Sequence, residues 1–283
     1  MSNEIDNLLN KIEVLPAAPS MMVKLLPKLD DVDTHSDEIV DIIQLDPGLT
    51  VNLLQICNSA FFGQPEPIVT VTDAVSRVGY QSIYLLAATI SGAGSFSTTP
   101  TVVIDASRLW AHSVTAAFSA KCIAETAQQD SNLLFTAGLL HDVGKIVLAQ
   151  IKPGVYDDKF YSLTEDGGQE REKDIFGCTH AEIGTALMRR WGLPEPLVNA
   201  VSNHHAPAAD GAEPLAACVE LGDMFAHGQT DRRVLAKPQF FSRSNALQVG
   251  PEAMPQWFKK LSANQQIIDA MSQLKTAGKT GKI

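Results

Sequence analysis

Gly138-Leu139-Leu140-His141-Asp142-Val143-Gly144-Lys145 sets a histidine beside an aspartate at the polar end of an apolar helical run. Neighbouring residues on a helix point about 100° apart. His141 and Asp142 therefore hold one ion only if it lies between their directions and other helices add the remaining ligands. A carboxylate has two oxygens and bridges two metals, which an imidazole cannot do. Paired metals suit phosphoester hydrolysis, because the attacking and the leaving oxygen are both stabilised. The plainer alternative is a chance pair in a helix with a polar exit.

The other candidate ligands fall on separate predicted helices. His112 follows Leu109-Trp110-Ala111, on a helix whose apolar face carries Leu109, Ala116 and Ala120. His180 opens a helix after Gly177-Cys178-Thr179, with Glu182 close by. His204 and His205 end a helix before Pro207. Asp223 lies inside the apolar segment 215–225. A buried carboxylate without a partner is costly, and a cation would supply one. Each position also has a plainer reading. His112 fits a core histidine bonded to a carbonyl, the His pair a cationic helix end, and Asp223 the partner of a buried Arg or Lys. Lys145 reads equally as a phosphate contact and as a solvated helix residue. His35 and His227 read as surface residues, and Trp110 and Trp191 as packing anchors.

Outward from this centre, helical periodicity dominates and strand alternation is nearly absent. Pro16 and Pro19 precede a helix carrying Met21, Met22, Leu25 and Leu26. Ser36-Asp37-Glu38 starts another, with acidic residues in its first turn. Asp46-Pro47 is a cap followed by proline at the first helical position. Thr72 is expected to cap a short helix that Gly79 closes, and 80–93 is a further apolar helix. Residues 91–104 are small and Gly/Ser/Thr-rich. They read as a linker between an N-terminal helical subdomain, 1–94, and a second helical subdomain, 105–283. That second part is expected to form helices near 106–127, 132–150, 180–191, 195–204 and 213–228. Residues 153–178 read as a loop with one helix at most, and 276–283 as a frayed tail.

The 283 residues are 45% hydrophobic and 19% charged, enough to bury a real core. The net charge of −10 lacks the basic footprint of phosphate-backbone binding, which disfavours nucleic acid as a partner. Cys57, Cys122, Cys178 and Cys218 form no C-x-x-C pair and sit among apolar neighbours, as expected of reduced, buried thiols in a cytoplasmic protein. The polar, acidic N-terminus is not a signal peptide, and no apolar stretch is expected to be long enough to span a bilayer. No membrane partner is expected.

The segment 105–228, with its His…His-Asp…Asp pattern, resembles the HD superfamily of metal-dependent phosphohydrolases. The chain from about 12 to 275 is similar to the HDOD family of bacterial signalling proteins. That likeness is carried by Leu15-Pro16, Asp46-Pro47-Gly48-Leu49, the run from Leu54 through Asn58 to Gly63, and Ala74 to Gly79. It continues through Leu109 to Ser113, Gly138 to Gly144, His180 to Gly184, Trp191 to Pro194 and His204-His205. The resemblance implies an all-α fold, with an N-terminal bundle packed on a C-terminal HD-type domain. It also implies a metal site of His112, His141, Asp142, His180, His204, His205 and Asp223. Many HDOD members have lost several of these ligands, whereas every matched position here is still His or Asp. The related HD-GYP phosphodiesterases carry Gly-Tyr-Pro after the His pair, and some carry Glu four residues before the position of His112. Here the chain reads Ala206-Pro207-Ala208, and Arg108 occupies the second position. This disfavours a third metal and weakens cyclic di-GMP as a substrate.

Two functions follow as expectations. One is a signalling or regulatory protein that keeps its metal site and acts on a partner in trans. The other is an active phosphohydrolase on a nucleotide or other phosphoester. In the second, Asp142 bridges two divalent ions, with His112, His141 and Asp223 completing one and His180, His204 and His205 the other, while Lys145 steadies the phosphate. One or two ions of Fe, Mn, Zn, Co or Ni suit imidazole and carboxylate donors, and no Cys is in the set.

Overall fold

Only helices and turns occur among the described residues of the computed structural model, which are 2–12, 15–16, 18–29, 35–58, 62–63, 66–96, 104–155, 168–205, 213–229 and 232–274. The N-terminal helices are α1 (Ser2–Asn10), α2 (Ser20–Leu29), α3 (Ser36–Gln44), α4 (Pro47–Cys57), α5 (Val71–Val78) and α6 (Tyr80–Ala93). Asp46 caps α4 as expected, its Oδ1 accepting the Leu49 N–H at 3.0 Å with Pro47 in the first turn. The cap of α5 is Thr70 rather than Thr72, its Oγ1 accepting the Asp73 N–H at 3.0 Å. Starting the helix earlier buries Val71 in the core. Gly79 closes α5 with φ 89°, a left-handed conformation that favours glycine.

The second half contains α7 (Ala106–Thr126), α8 (Ser131–Leu140), α9 (Val143–Ile151), α10 (Gly168–Phe176), α11 (His180–Arg190), α12 (Glu195–Ser202) and α13 (Pro214–Gly228). Then come α14 (Pro238–Ala246), α15 (Met254–Ala263) and α16 (Gln265–Ser272). The long α7 is clasped between α8 and α13, and small residues make the approach close. A Cβ on Gly138 would lie 2.6 Å from the Ala117 Cα, and one on Gly222 would lie 2.8 Å from the Ala116 carbonyl oxygen. Both crossings therefore depend on the absence of a side chain.

The two halves share one buried core. The Tyr84 hydroxyl on α6 meets the Thr136 hydroxyl on α8 at 2.7 Å, out of water. Trp110 on α7 donates its indole N–H to the Met271 carbonyl on α16 at 3.0 Å, and its ring lies 5.2 Å from that of Phe96. The stretch read as a linker is helical as far as Phe96, which is fully buried. Residues 97–103 lie outside the described residues, as do 156–167 and the predicted tail.

Two further expectations need correction. The helix predicted over 132–150 is broken: α8 ends at Leu140 and α9 begins at Val143, with Asp142 at φ −102°, ψ 6°. Apolar residues resume at Val143 and continue through Ala149 beyond the polar pair, so periodicity alone does not reveal the break. The same stretch overturns the expectation that no segment is long enough for a bilayer. Ser131–Ile151 passes by length and hydropathy, yet 89% of its most apolar window is buried inside the protein. It forms the centre of the core.

Candidate metal centre

The break between α8 and α9 carries His141 and Asp142 to the meeting point of four other chain segments. His112 arrives from the middle of α7 and His180 from the first residue of α11. His204 and His205 follow the end of α12, and Asp223 projects from α13. Asp142 Oδ2 lies 3.3 Å from His141 Nε2 and 3.8 Å from His112 Nε2, while its Oδ1 lies 3.5 Å from His180 Nε2. Asp223 Oδ1 lies 2.9 Å from His112 Nε2 and 3.5 Å from His141 Nε2. The imidazoles of His204 and His205 stand 4.0 Å apart, and their neighbour His180 is 5.1 Å from His205. The structure thus brings all seven predicted residues into one buried cluster.

The backs of the rings are fixed. His141 Nδ1 donates to the Gly138 carbonyl at 2.8 Å and His204 Nδ1 to the Val201 carbonyl at 2.5 Å. A carbonyl only accepts, so each Nδ1 carries a proton and each Nε2 is turned to the interior of the cluster. His180 is held by Glu172 of α10, whose carboxylate takes the ring Nδ1–H at 2.8 Å and the backbone N–H at 2.7 Å. Glu172 is fully buried. Its sequence context, Gln169-Glu170-Arg171-Glu172-Lys173-Asp174, looks like a solvated charge run, and no periodicity marks it out.

Charge is concentrated here. Burial favours the neutral acid of Asp142, but His141 and Lys145 outweigh it and hold the carboxyl well below its usual range. Burial also works against a charged His141, yet Asp142 and Asp223 lift it to about 10. Burial drives His112 down to about 4, with His227 adding to the effect. Burial, helped by His180, takes His205 to about 3. Lys145 is not a solvated helix residue. It is buried, and its ammonium pairs with Asp142 Oδ2 at 2.7 Å.

His227 is the other correction. Instead of lying on the surface it stacks on His112, with ring centroids 4.4 Å apart, and its Nε2 is 3.3 Å from Asp223 Oδ1. The clue available in the sequence was its i, i+4 spacing from Asp223, which puts both on one face of a helix. His35 is exposed as expected.

The fit of this cluster to cations rests on its unsatisfied atoms. The Nε2 atoms of His112, His141, His180 and His204, and the Oδ1 atoms of Asp142 and Asp223, are buried without a hydrogen bond of acceptable geometry. Six buried polar atoms without partners are expensive. Donors at about 2.0–2.2 Å from one ion and at right angles lie about 3 Å apart. The N···O separations of 2.9, 3.3, 3.5 and 3.8 Å given above are of that size. The donor atoms of His112, His141 and Asp142 lie within 4.8 Å of one another, and so do those of His180, His204 and His205. These donors are of a kind and spacing that can hold a metal ion.

Comparison with known proteins identifies the family and the fold. The HDOD domain family matches residues 15–207. An uncharacterized protein of Treponema pallidum (strain Nichols) is 28% identical over 235 residues, covering 78% of this chain and 44% of that protein. Ribonuclease Y of Thermus thermophilus is 31% identical over 138 residues, covering 48% of this chain and 19% of the enzyme. The chain therefore spans less than half the length of these relatives. The crystal structure of an HDOD domain protein with unknown function from Geobacter sulfurreducens superposes with a TM-score of 0.76 at 24% identity, covering 96% of this chain and 97% of that one. This last likeness concerns the fold.

Proposed function

This chain belongs to the HDOD domain family, and from that premise we propose that it is a metal-dependent phosphoester hydrolase serving bacterial signalling in the cytoplasm. The observation that carries the reading is the placement of Asp142. One of its oxygens faces His112 and His141, and the other faces His180. A carboxylate so placed suits a bridge between two divalent cations. His112, His141 and Asp223 would complete one, and His180, His204 and His205 the other. Bound cations of this kind acidify water and neutralise charge on phosphoryl oxygens. Nitrogen and oxygen donors without thiolate suit Fe, Mn, Zn, Co or Ni.

The protein's own residues prepare the site. Carbonyls and Glu172 hold three imidazoles with Nε2 turned inward, so little reorganisation accompanies loading. Burial excludes water and strengthens each charge inside. Lys145 adds a fixed positive charge beside Asp142, complementary to a phosphate. The likeness to a protein named as a ribonuclease supports phosphoester chemistry. The substrate proposed is a nucleotide or other small phosphoester, since the net charge of −10 disfavours a nucleic-acid strand.

The test is turnover. Purified protein with Mn²⁺ or Fe²⁺ is assayed against mononucleotides, cyclic dinucleotides and a generic phosphodiester. Hydrolysis that disappears in Asp142→Ala is expected. No turnover across the panel would leave the second reading, a regulatory protein that keeps the site for structure or ligand sensing and acts on a protein partner in trans. One observation favours that alternative: Lys145 already neutralises the Asp142 oxygen that faces His112 and His141.

A further inference from the structure

The two halves of the site are unequal. On the side of Asp142 Oδ1 stands His180, whose donor atom groups with those of His204 and His205, so that this half offers four candidate protein donors. Glu172 is engaged behind His180 and adds none. Around the other half stand His112, His141, Asp223 and Asp142 Oδ2, and a further imidazole joins them. His227 Nε2 lies 3.3 Å from Asp223 Oδ1, the same oxygen that lies 2.9 Å from His112 Nε2 and 3.5 Å from His141 Nε2. The donor atoms of His112, Asp223 and His227 fall within 4.8 Å of one another.

Three imidazole nitrogens around one carboxylate oxygen is an arrangement for which a shared cation gives the simplest chemistry. Three imidazoles that only hydrogen-bonded to this oxygen would share its two lone pairs. Position supports the same reading. Asp223 and His227 are one helical turn apart on α13, a rigid element, and the His227 side chain is 17% exposed, so it borders the pocket from the solvent side. One turn before His112 on α7 stands Arg108, whose guanidinium cannot ligate a cation.

Resting on the two-cation reading above, we infer that His227 is a fifth protein ligand to the cation held by His112, His141, Asp142 and Asp223. It closes that half. The cation held by His180, His204, His205 and Asp142 keeps fewer protein donors among the described residues, so a phosphoryl oxygen would be bound there.

Cobalt(II) titration of the metal-free full chain tests this, with bound ions counted by elemental analysis and ligation followed by the d–d absorption band. Wild type is expected to bind two ions with two affinities. His227→Gln should weaken one of them by about tenfold or more. Its d–d band should gain intensity as the coordination number falls, while the other affinity stays unchanged. His227→Ala should lose the same ion, and added imidazole should restore both affinity and band, which it would not do for a residue that merely packs. Wild-type affinities and spectrum retained in His227→Gln would overturn the inference and leave the two-cation reading standing. Three ions per wild-type chain, falling to two in the variant, would overturn it in favour of a separate site. Failure of the wild type to bind any cation would remove the underlying reading itself.

Discussion

Gly144 and the carbonyl of His180 touch so closely that a Cβ on residue 144 would lie 1.9 Å from the carbonyl oxygen. The contact seats α9 against the start of α11 and fixes how far Asp142 stands from His180. Gly184 continues the same seam, its own Cβ position being 3.1 Å from the Gly144 nitrogen. The atom that blocks residue 144 is backbone, so it cannot swing aside. Gly144→Ala should cost about 1–3 kcal/mol or more, as overpacking does, and should separate the two halves of the cluster. A lower urea midpoint together with weaker binding of the second cobalt ion is the expected pair of results. Unchanged cation binding would show that the seam does not position the site.

Glu172 aligns His180 from behind. Removing it in Glu172→Ala takes away the acceptor for the ring and for the backbone N–H, so the imidazole loses both orientation and basicity. Cation affinity should fall about 10–100-fold, in the half that contains His180. Glu172→Gln keeps an acceptor without the charge and should fall between the two. Calorimetric titration with Mn²⁺ measures the series.

Tyr84 and Thr136 join the N-terminal helices to the second half through one buried hydroxyl pair at 2.7 Å. Thr136 also donates to the Asn132 carbonyl at 3.2 Å, so it keeps a partner when the phenol is removed. Tyr84→Phe should therefore cost only about 1 kcal/mol, read as a shift in urea midpoint with no change in cation binding. A loss several times larger would mean that the pair organises the interface rather than merely contributing to it.

The four cysteines are free and buried. Burial raises Cys57, Cys122 and Cys178 to about 11 and Cys218 to about 12, with Glu125 adding to the effect at Cys122 and Glu182 at Cys178. At pH 8 the folded protein should react with a thiol reagent far more slowly than the denatured chain, which should release four equivalents. The sign of the pH effect follows. An unfolded thiol ionises near 8.5, whereas the folded ones hold their protons to about 11. Their contribution is present in full below about 8.5 and is lost as the pH rises through 11. A urea midpoint that falls across this alkaline window is expected.

Much of the cluster was legible because imidazoles and carboxylates are out of place in apolar helices. His112, His141, His180 and Asp223 each interrupt a buried face, and such an interruption calls for a partner. Glu172 was hidden for the opposite reason: a carboxylate inside a charged run looks ordinary until α10 folds back and buries it. His227 was marked only by its i, i+4 spacing from Asp223, a weak signal near a helix end. The break at His141-Asp142 was invisible because hydrophobic residues continue on both sides. The shift of the α5 cap from Thr72 to Thr70 came from a choice between two hydroxyl residues, decided by which start buries Val71.

The clasp of α7 between α8 and α13 is made by Gly138, Gly222 and the alanines they face, not by histidines or aspartates. The scaffold and its chemistry are therefore separable. Apolar residues of similar volume could replace the ionisable cluster with little penalty to folding, as happens when other buried charged groups are exchanged for well-packed hydrophobic ones. A lineage built on this architecture can lose the ionisable cluster and still keep an intact outer surface for other work.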